Sequence, residues 1–283
     1  MTAESDATNL RNLFSAAGLS RIAPALAPLQ AGSLRIKARA VDEQQLALGA
    51  SKLGGLPDLP AGTAWPAWQG TPLGMVATIH LDEVHAYPAA QTLPSSGWLY
   101  FFYDGRQQAF GDKPDDRGAW QVLYAPGSAV QRQAAPAGLP AESRFKACAL
   151  TFAPQATLPQ NPPVFLPKLD WTPDEQTKYE DLLDQHFSDR SAPRHRLLGH
   201  TDEIQDDMHQ QAQLLSHGVA DDQDSRAAGL MAGTLDWQLL LQVDSDDQAG
   251  MRWGSAGMLY FWIEKAALQA RRFDNVWMAL QSD

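Results

Sequence analysis

Residues 33–41, SLRIKARAV, alternate cleanly. Leu34, Ile36, Ala38 and Ala40 fall on one side and Arg35, Lys37 and Arg39 on the other, which predicts a half-buried strand with a basic outer stripe. Apolar runs predict further strands over 73–81, 97–103, 119–124 and 145–152, and in the C-terminal part over 237–243, 257–263 and 273–280. Residues 8–18 follow the helical period instead: Leu10, Leu13, Phe14 and Ala17 share one face, and Gly18 suits a helix end. A second helix starts at Thr172, a good N-cap, with Pro173 at the first helical position and Glu175 completing a capping box. Its apolar stripe is Tyr179, Leu182, Leu183 and Phe187, and it should end near Asp189, because Pro193 cannot continue it. A helical turn starts at Asp82, and 264–271 look helix-like. Residues 210–217 are short of apolar positions and predict no element.

Glycine and proline punctuate the rest. Residues 51–70 form a loop carrying Trp65 and Trp68. Five prolines between 154 and 170 mark an ordered connector or a linker, and 218–229 form an acidic loop.

The C-terminal part echoes the N-terminal part. Gly97-Trp-Leu-Tyr-Phe-Phe-Tyr matches Gly257-Met-Leu-Tyr-Phe-Trp-Ile, MVATIHLD (75–82) lines up with LLLQVDSD (239–246), and KLGG (52–55) resembles LLGH (197–200). The predicted fold class is α+β: a mainly antiparallel sheet with an internal duplication of a strand–turn–strand unit, flanked by a few helices. An N-terminal helical segment, 1–32, precedes a single domain, 33–283. Its halves, about 33–153 and 190–283, are joined by the Pro-rich connector and the helix after it. Such halves would bring their two Leu-Gly loops together across a groove, a common place for a site.

The formal net charge of −11 argues against nucleic acid and anionic membranes as partners and favours a basic one. The single cysteine, Cys148, forms no intrachain disulfide and sits in an alternating apolar run, as a buried core residue would. There is no signal-peptide pattern at the N-terminus and no apolar run near the ~20 residues of a membrane helix. The expected location is the cytoplasm.

Chemistry-bearing residues are few. Asp244, Asp246 and Asp247 follow an apolar strand, but as a calcium loop the segment fails at Gln248, Ala249 and Ser255. Asp246 instead occupies the place of Asp82, and an aspartate before a helical turn accepts a backbone N–H. The three aspartates are weak metal candidates only, and no metal is favoured. His195, His200, Glu203 and His209 lack the spacing of a zinc helix. Nucleophile-elbow, phosphate-loop and dinucleotide motifs are not found, and no cofactor is predicted. The most pocket-like neighbourhood is Lys52, Gly54, Gly55 and Asp58 with Trp65. Arg194, His200, Gln205 and Gln242 would join it across the groove.

KLGGLPDLP with WP and W following, RLLGHTDEIQDDM, LLLQVDSDD and GMLYFW together resemble the YwqG family, a bacterial domain family of unknown function, from roughly residue 30 to the end. The resemblance implies an α+β, internally duplicated fold and brings no catalytic residues. The family usually has Gln where Thr78 stands, whereas Gln242 keeps it in the second copy, so no role needing both amides is implied. Some relatives are associated with toxin loci, which implies immunity or partner-binding roles for those members. The expected function is a bacterial binding or interaction protein, of immunity type, masking a toxin-like or otherwise basic partner. The alternative is a small-ligand-binding protein or enzyme with its site in the groove. Neither oligomeric state nor catalysis is legible in the chain.

Overall fold

The apolar runs pair with one another in the computed structural model, which describes residues 3–127, 129–187 and 193–283. In chain order the strands are β1 (Ala31–Ala40), β2 (Lys52–Leu53), β3 (Asp58–Pro60), β4 (Ala67–Trp68), β5 (Thr71–Pro72), β6 (Gly74–His80) and β7 (Trp98–Tyr103). They continue as β8 (Trp120–Ala125), β9 (Val130–Arg132), β10 (Cys148–Thr157), β11 (Arg196–Leu197), β12 (Trp237–Asp244), β13 (Met258–Glu264) and β14 (Trp277–Gln281). The helices are α1 (Ala3–Ala16), α2 (Ala23–Leu26), α3 (Leu81–Val84), α4 (Pro162–Phe165), α5 (Pro173–His186), α6 (His209–Ser216), α7 (Ala227–Leu230) and α8 (Lys265–Gln269). Ten strands make one antiparallel sheet in the order β14-β13-β12-β11-β1-β10-β2-β6-β7-β8, curled nearly into a barrel. β3 pairs with β9, and β4 with β5, as separate ribbons. No described helix is long and apolar enough to cross a membrane.

The centre of the sheet is the ladder between β1 and β10, which runs from Ala31 opposite Thr157 to Ala40 opposite Cys148. Pro154 lies inside it, opposite Leu34. The Ile36 N–H donates to the His195 carbonyl at 3.0 Å, so the even-numbered residues of β1 bond towards β11. The Leu34–Pro154 pair is therefore a non-bonded one, and the missing proline N–H removes nothing from the ladder. The connector accordingly begins after Thr157 rather than at Pro154. The basic stripe is also shorter than its pattern predicts. Arg35 is buried and donates to the Pro193 carbonyl at 2.8 Å, while Lys37 and Arg39 stay exposed.

From this centre the strand order runs outward as β10–β2–β6–β7–β8 on one side and β1–β11–β12–β13–β14 on the other. β6 and β12 each carry a register shift, at Met75/Ala77 and at Leu239/Leu241. The inner faces of the two meanders share one core, in which Phe101 meets Phe261 edge-on at 5.1 Å. The curl closes where Trp120 packs edge-on against Trp277 at 4.8 Å and donates its indole N–H to the Val276 carbonyl at 2.9 Å.

A second core forms where Leu10, Phe14, Leu19, Ile22 and Leu26 meet Tyr179, Leu182 and Leu183 of α5. The capping box of α5 is present: Thr172 Oγ1 accepts the Glu175 N–H at 3.2 Å, and the Glu175 carboxylate accepts the Thr172 N–H at 2.9 Å. Arg21 donates to the same carboxylate at 2.8 Å and, with the Thr172 N–H, holds it down to about 2. The expected helix end near Asp189 lies outside the described residues. α6 has no counterpart among the predicted elements because its buried face is partly polar. His209 and Gln213 are both buried, and Gln213 Oε1 accepts the Trp237 indole N–H at 2.7 Å.

Phe261 joins the two meanders, so Phe261→Ala should cost about 3–5 kcal/mol. Urea unfolding followed by near-UV circular dichroism is the measurement, with a lower midpoint at unchanged slope as the expected outcome.

Candidate functional site

Two short strands, each followed by a left-handed turn, organise the polar interior. Lys52 pairs with Thr78, and Arg196 with Gln242. After each come two residues at positive φ: Gly54 (59°) and Gly55 (73°), then Leu198 (61°) and Gly199 (80°). Glycine is required at the second of these, since a Cβ on Gly55 would strike the Glu43 carboxylate and one on Gly199 would strike Ser33 and Thr157. The turn carries the chain back over the outer face of the sheet, where an aspartate meets the basic residue. Lys52 Nζ lies 3.0 Å from Asp58, and an Arg196 terminal nitrogen lies 2.8 Å from Asp202. A tyrosine hydroxyl fixes each aspartate, from β7 in one case and β13 in the other: Tyr100 donates to the Asp58 carbonyl at 2.6 Å, and Tyr260 to the Asp202 carbonyl at 2.7 Å.

The first cluster is closed on itself. Asp58 accepts from Arg132 Nε at 2.8 Å, from Lys52 at 3.0 Å and from the Gly49 N–H at 3.1 Å. Burial pushes its carboxyl up, but the bonds from Arg132 and Lys52 outweigh this and hold it below the usual range. Glu43 accepts from the Leu56 N–H at 2.6 Å and lies 3.4 Å from Lys52 Nζ. Two cations thus face two carboxylates.

The second cluster uses an amide where the first uses a guanidinium. Gln242 Oε1 accepts the Asp202 N–H at 2.9 Å, and its Nε2 donates to the Asp202 carboxylate at 2.8 Å and the Arg194 carbonyl at 2.6 Å. Arg196 also donates to the His200 carbonyl at 2.7 Å. The acidic segment 202–207 then continues on fixed supports. Gln281 Oε1 accepts the Ile204 and Gln205 N–H groups at 3.0 and 3.1 Å, and its Nε2 donates to the Asp206 carbonyl at 2.7 Å. The Glu203 N–H donates to Gln160 Oε1. Burial, reinforced by Asp207, Asp206 and Asp202, pushes the Glu203 carboxyl up to about 7. Asp207 lies 2.7 Å from His209 Nδ1.

The aspartates after β12 shape the chain. Asp244 accepts the Arg194 N–H at 2.8 Å. His195 Nδ1 accepts the Asp244 N–H at 3.1 Å, so the proton of the neutral ring sits on Nε2 and is donated to Asp246 at 3.1 Å. Asp246 also accepts the Gln248 N–H at 2.7 Å, while Asp247 is exposed. Asp82 differs from Asp246: it lies in the first turn of α3 and accepts the Gly97 N–H at 3.2 Å instead of capping the helix. Among the described residues no three His, Cys, Asp or Glu side chains stand where they could hold a metal ion.

The sequence-selected residues thus fall into two groups. Lys52, Gly54, Gly55 and Asp58 build the first cluster, and Trp65 lies over the same face, donating to the Leu73 carbonyl at 2.9 Å and packing edge-on against Phe102. Gln242 and the Arg194 main chain belong to the second cluster. His200 donates Nε2–H to the Leu29 carbonyl at 2.7 Å, and burial pushes its pKa down to about 4. Gln205 is exposed and donates to the Ser282 carbonyl at 2.9 Å. Cys148 is buried, and burial pushes its thiol up to about 11. β10 and β1 stand between β2 and β11, which puts the two short strands three strand spacings, ~14 Å, apart. The expected meeting of the Leu-Gly loops across a common groove is therefore corrected: the first turn lies against residues 145–147 and the second against Ser33 and Thr157. The matched positions also shift by one, with Arg196 rather than Leu197 in the place of Lys52. Sequence reasoning singled out Arg194 and missed Arg196 and Asp202. The signal was a basic residue with an aspartate six positions on, in KLGGLPD and again in RLLGHTD. Tyr100 and Tyr260 stand at the same place in GWLYFFY and GMLYFWI, whereas Glu43 and Arg132 carried no signal.

Residues 51–282 match the model of a family described as Domain of unknown function (DUF1963). No curated protein matches the chain. The matched span holds the second cluster, the first cluster apart from Glu43 and the Gly49 N–H, and all of the sheet except β1.

Two outcomes follow from the buried charges. Lys52→Met leaves a buried carboxylate short of a partner and should cost about 3–5 kcal/mol in urea unfolding. For Glu203, folding raises the carboxyl from 4.5 to about 7, so the folded chain holds a proton that the unfolded chain has lost. This contribution to stability is present below pH 4.5 and is lost as pH rises to about 7. Glu203→Gln should therefore gain stability relative to the parent chain across that window, measured as the difference between their urea midpoints at each pH; a pH-independent difference would contradict the assignment.

Proposed function

The chain belongs to the DUF1963 family, a domain family of unknown function, and we propose that it is a protein-binding module that presents the acidic segment 202–207 to a basic partner. The observation that carries this is the way the segment is held. Gln242 and Gln281 take up its backbone N–H groups, so Glu203, Asp206 and Asp207 are fixed close together and Asp206 is exposed. Their mutual repulsion contributes to the raised Glu203 pKa. A cationic group docking there relieves that repulsion and orders little backbone in doing so. The net charge of −11 steers a basic partner towards the protein. By contrast, Lys52, Asp58, Arg196 and Asp202 spend their hydrogen bonds inside the protein.

Two finer points belong to the same proposal. The order of strands about the β1–β10 centre and the paired turns at Lys52 and Arg196 support an internal duplication. The YwqG-like motifs support an immunity-type role in a bacterial cytoplasm, with a toxin-like protein as the masked partner.

Titration calorimetry with a decalysine peptide is the direct measurement. Binding at low salt that weakens as salt rises is expected. Asp206→Lys should lower the affinity about tenfold or more without lowering the melting temperature, whereas Asp222→Lys, in the acidic loop 218–229, should change the affinity far less. Equal effects of the two substitutions would reduce the interaction to bulk charge and count against the segment.

A further inference from the structure

The ten-stranded sheet has two edges, and the chain treats them differently. The β14 edge is covered: the Leu280 N–H donates to the Phe110 carbonyl at 2.8 Å, the Trp277 indole N–H donates to the Gly111 carbonyl at 3.1 Å, and a Cβ on Gly111 would strike the Met278 carbonyl. The β8 edge is closed by a bond only at its Trp120 end, to Val276, while at Tyr124 the ring of Phe273 packs against it at 5.5 Å without a main-chain bond.

The pairing of β8 fixes which of its groups point outward. The Asp104 N–H donates to the Ala119 carbonyl at 2.9 Å. By alternation along the register, Gln121, Leu123 and Ala125 direct their main-chain groups to β7, and Val122 and Tyr124 direct theirs away from it. Those two residues have no main-chain partner on the outer side among the described residues. They border a cavity of about 560 Å³. One side is Pro60 over the buried Leu59 and Tyr100; the other is Arg271 and Asp274 over the buried Phe273.

An exposed edge is ordinarily blunted by proline, charge or a covering segment. Here an N–H and a carbonyl recur every second residue, ~7 Å apart, beside a cavity with walls on both sides of the strand. An extended main chain matches that spacing of donors and acceptors and sends alternate side chains to the two walls. We infer that the β8 edge at Val122 and Tyr124 receives an extended segment of a partner polypeptide as an added strand. The side facing Leu59, Pro60 and Tyr100 takes apolar residues. The side facing Arg271 and Asp274 takes polar ones, since both charged side chains are exposed there. The inference rests on the proposal that the chain binds a partner polypeptide, but uses residues other than the acidic segment.

The test uses the full chain and a hexapeptide of alternating valine and threonine with a lysine added at each end. The expected result is saturable binding, with the Val122 and Tyr124 amides exchanging hydrogen about tenfold more slowly or better at saturation. A peptide N-methylated at alternate residues should bind about tenfold more weakly or worse. Tyr124→Pro removes one outward N–H at a position where an edge strand accepts proline, so it should stay folded, at a melting temperature lowered by the loss of the ring packed on Phe273, and lose the peptide. If that variant unfolds, Asp274→Lys, at an exposed position lining the cavity, serves in its place and should weaken binding of the lysine-ended peptide without touching the ladder. No binding at millimolar peptide, or binding that leaves both amides unprotected, overturns the inference. Protection that grows with protein concentration in the absence of peptide also overturns it, because two copies would then pair through this edge. Asp206→Lys separates the two proposals: it should abolish decalysine binding and leave hexapeptide binding unchanged.

Discussion

The ladder between β1 and β10 is the interaction on which the rest of the molecule hangs. Each of these strands is followed in the chain by a short strand, yet neither pairs with its own follower. β1 lies beside β11, and β10 beside β2. The two meanders are therefore interlocked through the centre: removing β1 would detach β11 and the strands beyond it from β10. Neither meander keeps its place without a strand contributed from far away in the chain, so folding must establish long-range pairing before most of the core can form. It also explains why one hydrophobic core holds Phe101 and Phe261 together rather than two separate ones.

Interlocking puts a demand on the short strands. β2 and β11 are two residues each, too short to fix their own register by ladder bonds. The buried basic residues supply the missing specification. Lys52 and Arg196 each reach an aspartate on the returning turn, and each aspartate's carbonyl is taken by a tyrosine, of β7 in one case and β13 in the other. Such pairs offer little net stability against an apolar replacement, but breaking one is costly, which suits a role in fixing geometry. The two solutions differ at one position. Thr78 reaches only the Met75 sulfur, at 3.7 Å, so Asp58 is completed by Arg132 from β9. Gln242 is long enough to complete Asp202 itself.

How much of this the sequence disclosed depends on the range of the interactions. The alternation of β1, the apolar runs of β6, β7, β12 and β13, and the capping box at Thr172 are local, and each is present close to its predicted place. α6 was hidden because its inner face carries Gln213 for Trp237, a bond that only tertiary structure explains. Arg35 read as an exposed cation, but the segment covering it arrives from residue 193. Aligning KLGG with LLGH placed Leu197, not Arg196, opposite Lys52. The backbone corrects it, because Leu198 adopts the positive φ that Gly54 adopts, and no propensity rule expects that of leucine. Glu43 and Arg132 complete the first cluster from opposite sides of the half, so no motif could join them.

The acidic segment and the sheet edges are physically linked. Gln281, which fixes Ile204 and Gln205, is the last residue of β14. β14 is itself an outer strand, and its free side is held by Phe110 and Gly111 from the loop after β7. The position of the carboxylates in the second half therefore depends on a loop of the first half lying along β14. Covering that edge removes a site of unwanted strand addition and at the same time steadies the support for 202–207. The same loop does not extend to the outward groups of Val122 and Tyr124. The chain thus spends its covering segment where rigidity is needed and leaves main-chain bonding capacity at the edge where none of its carboxylates is being positioned.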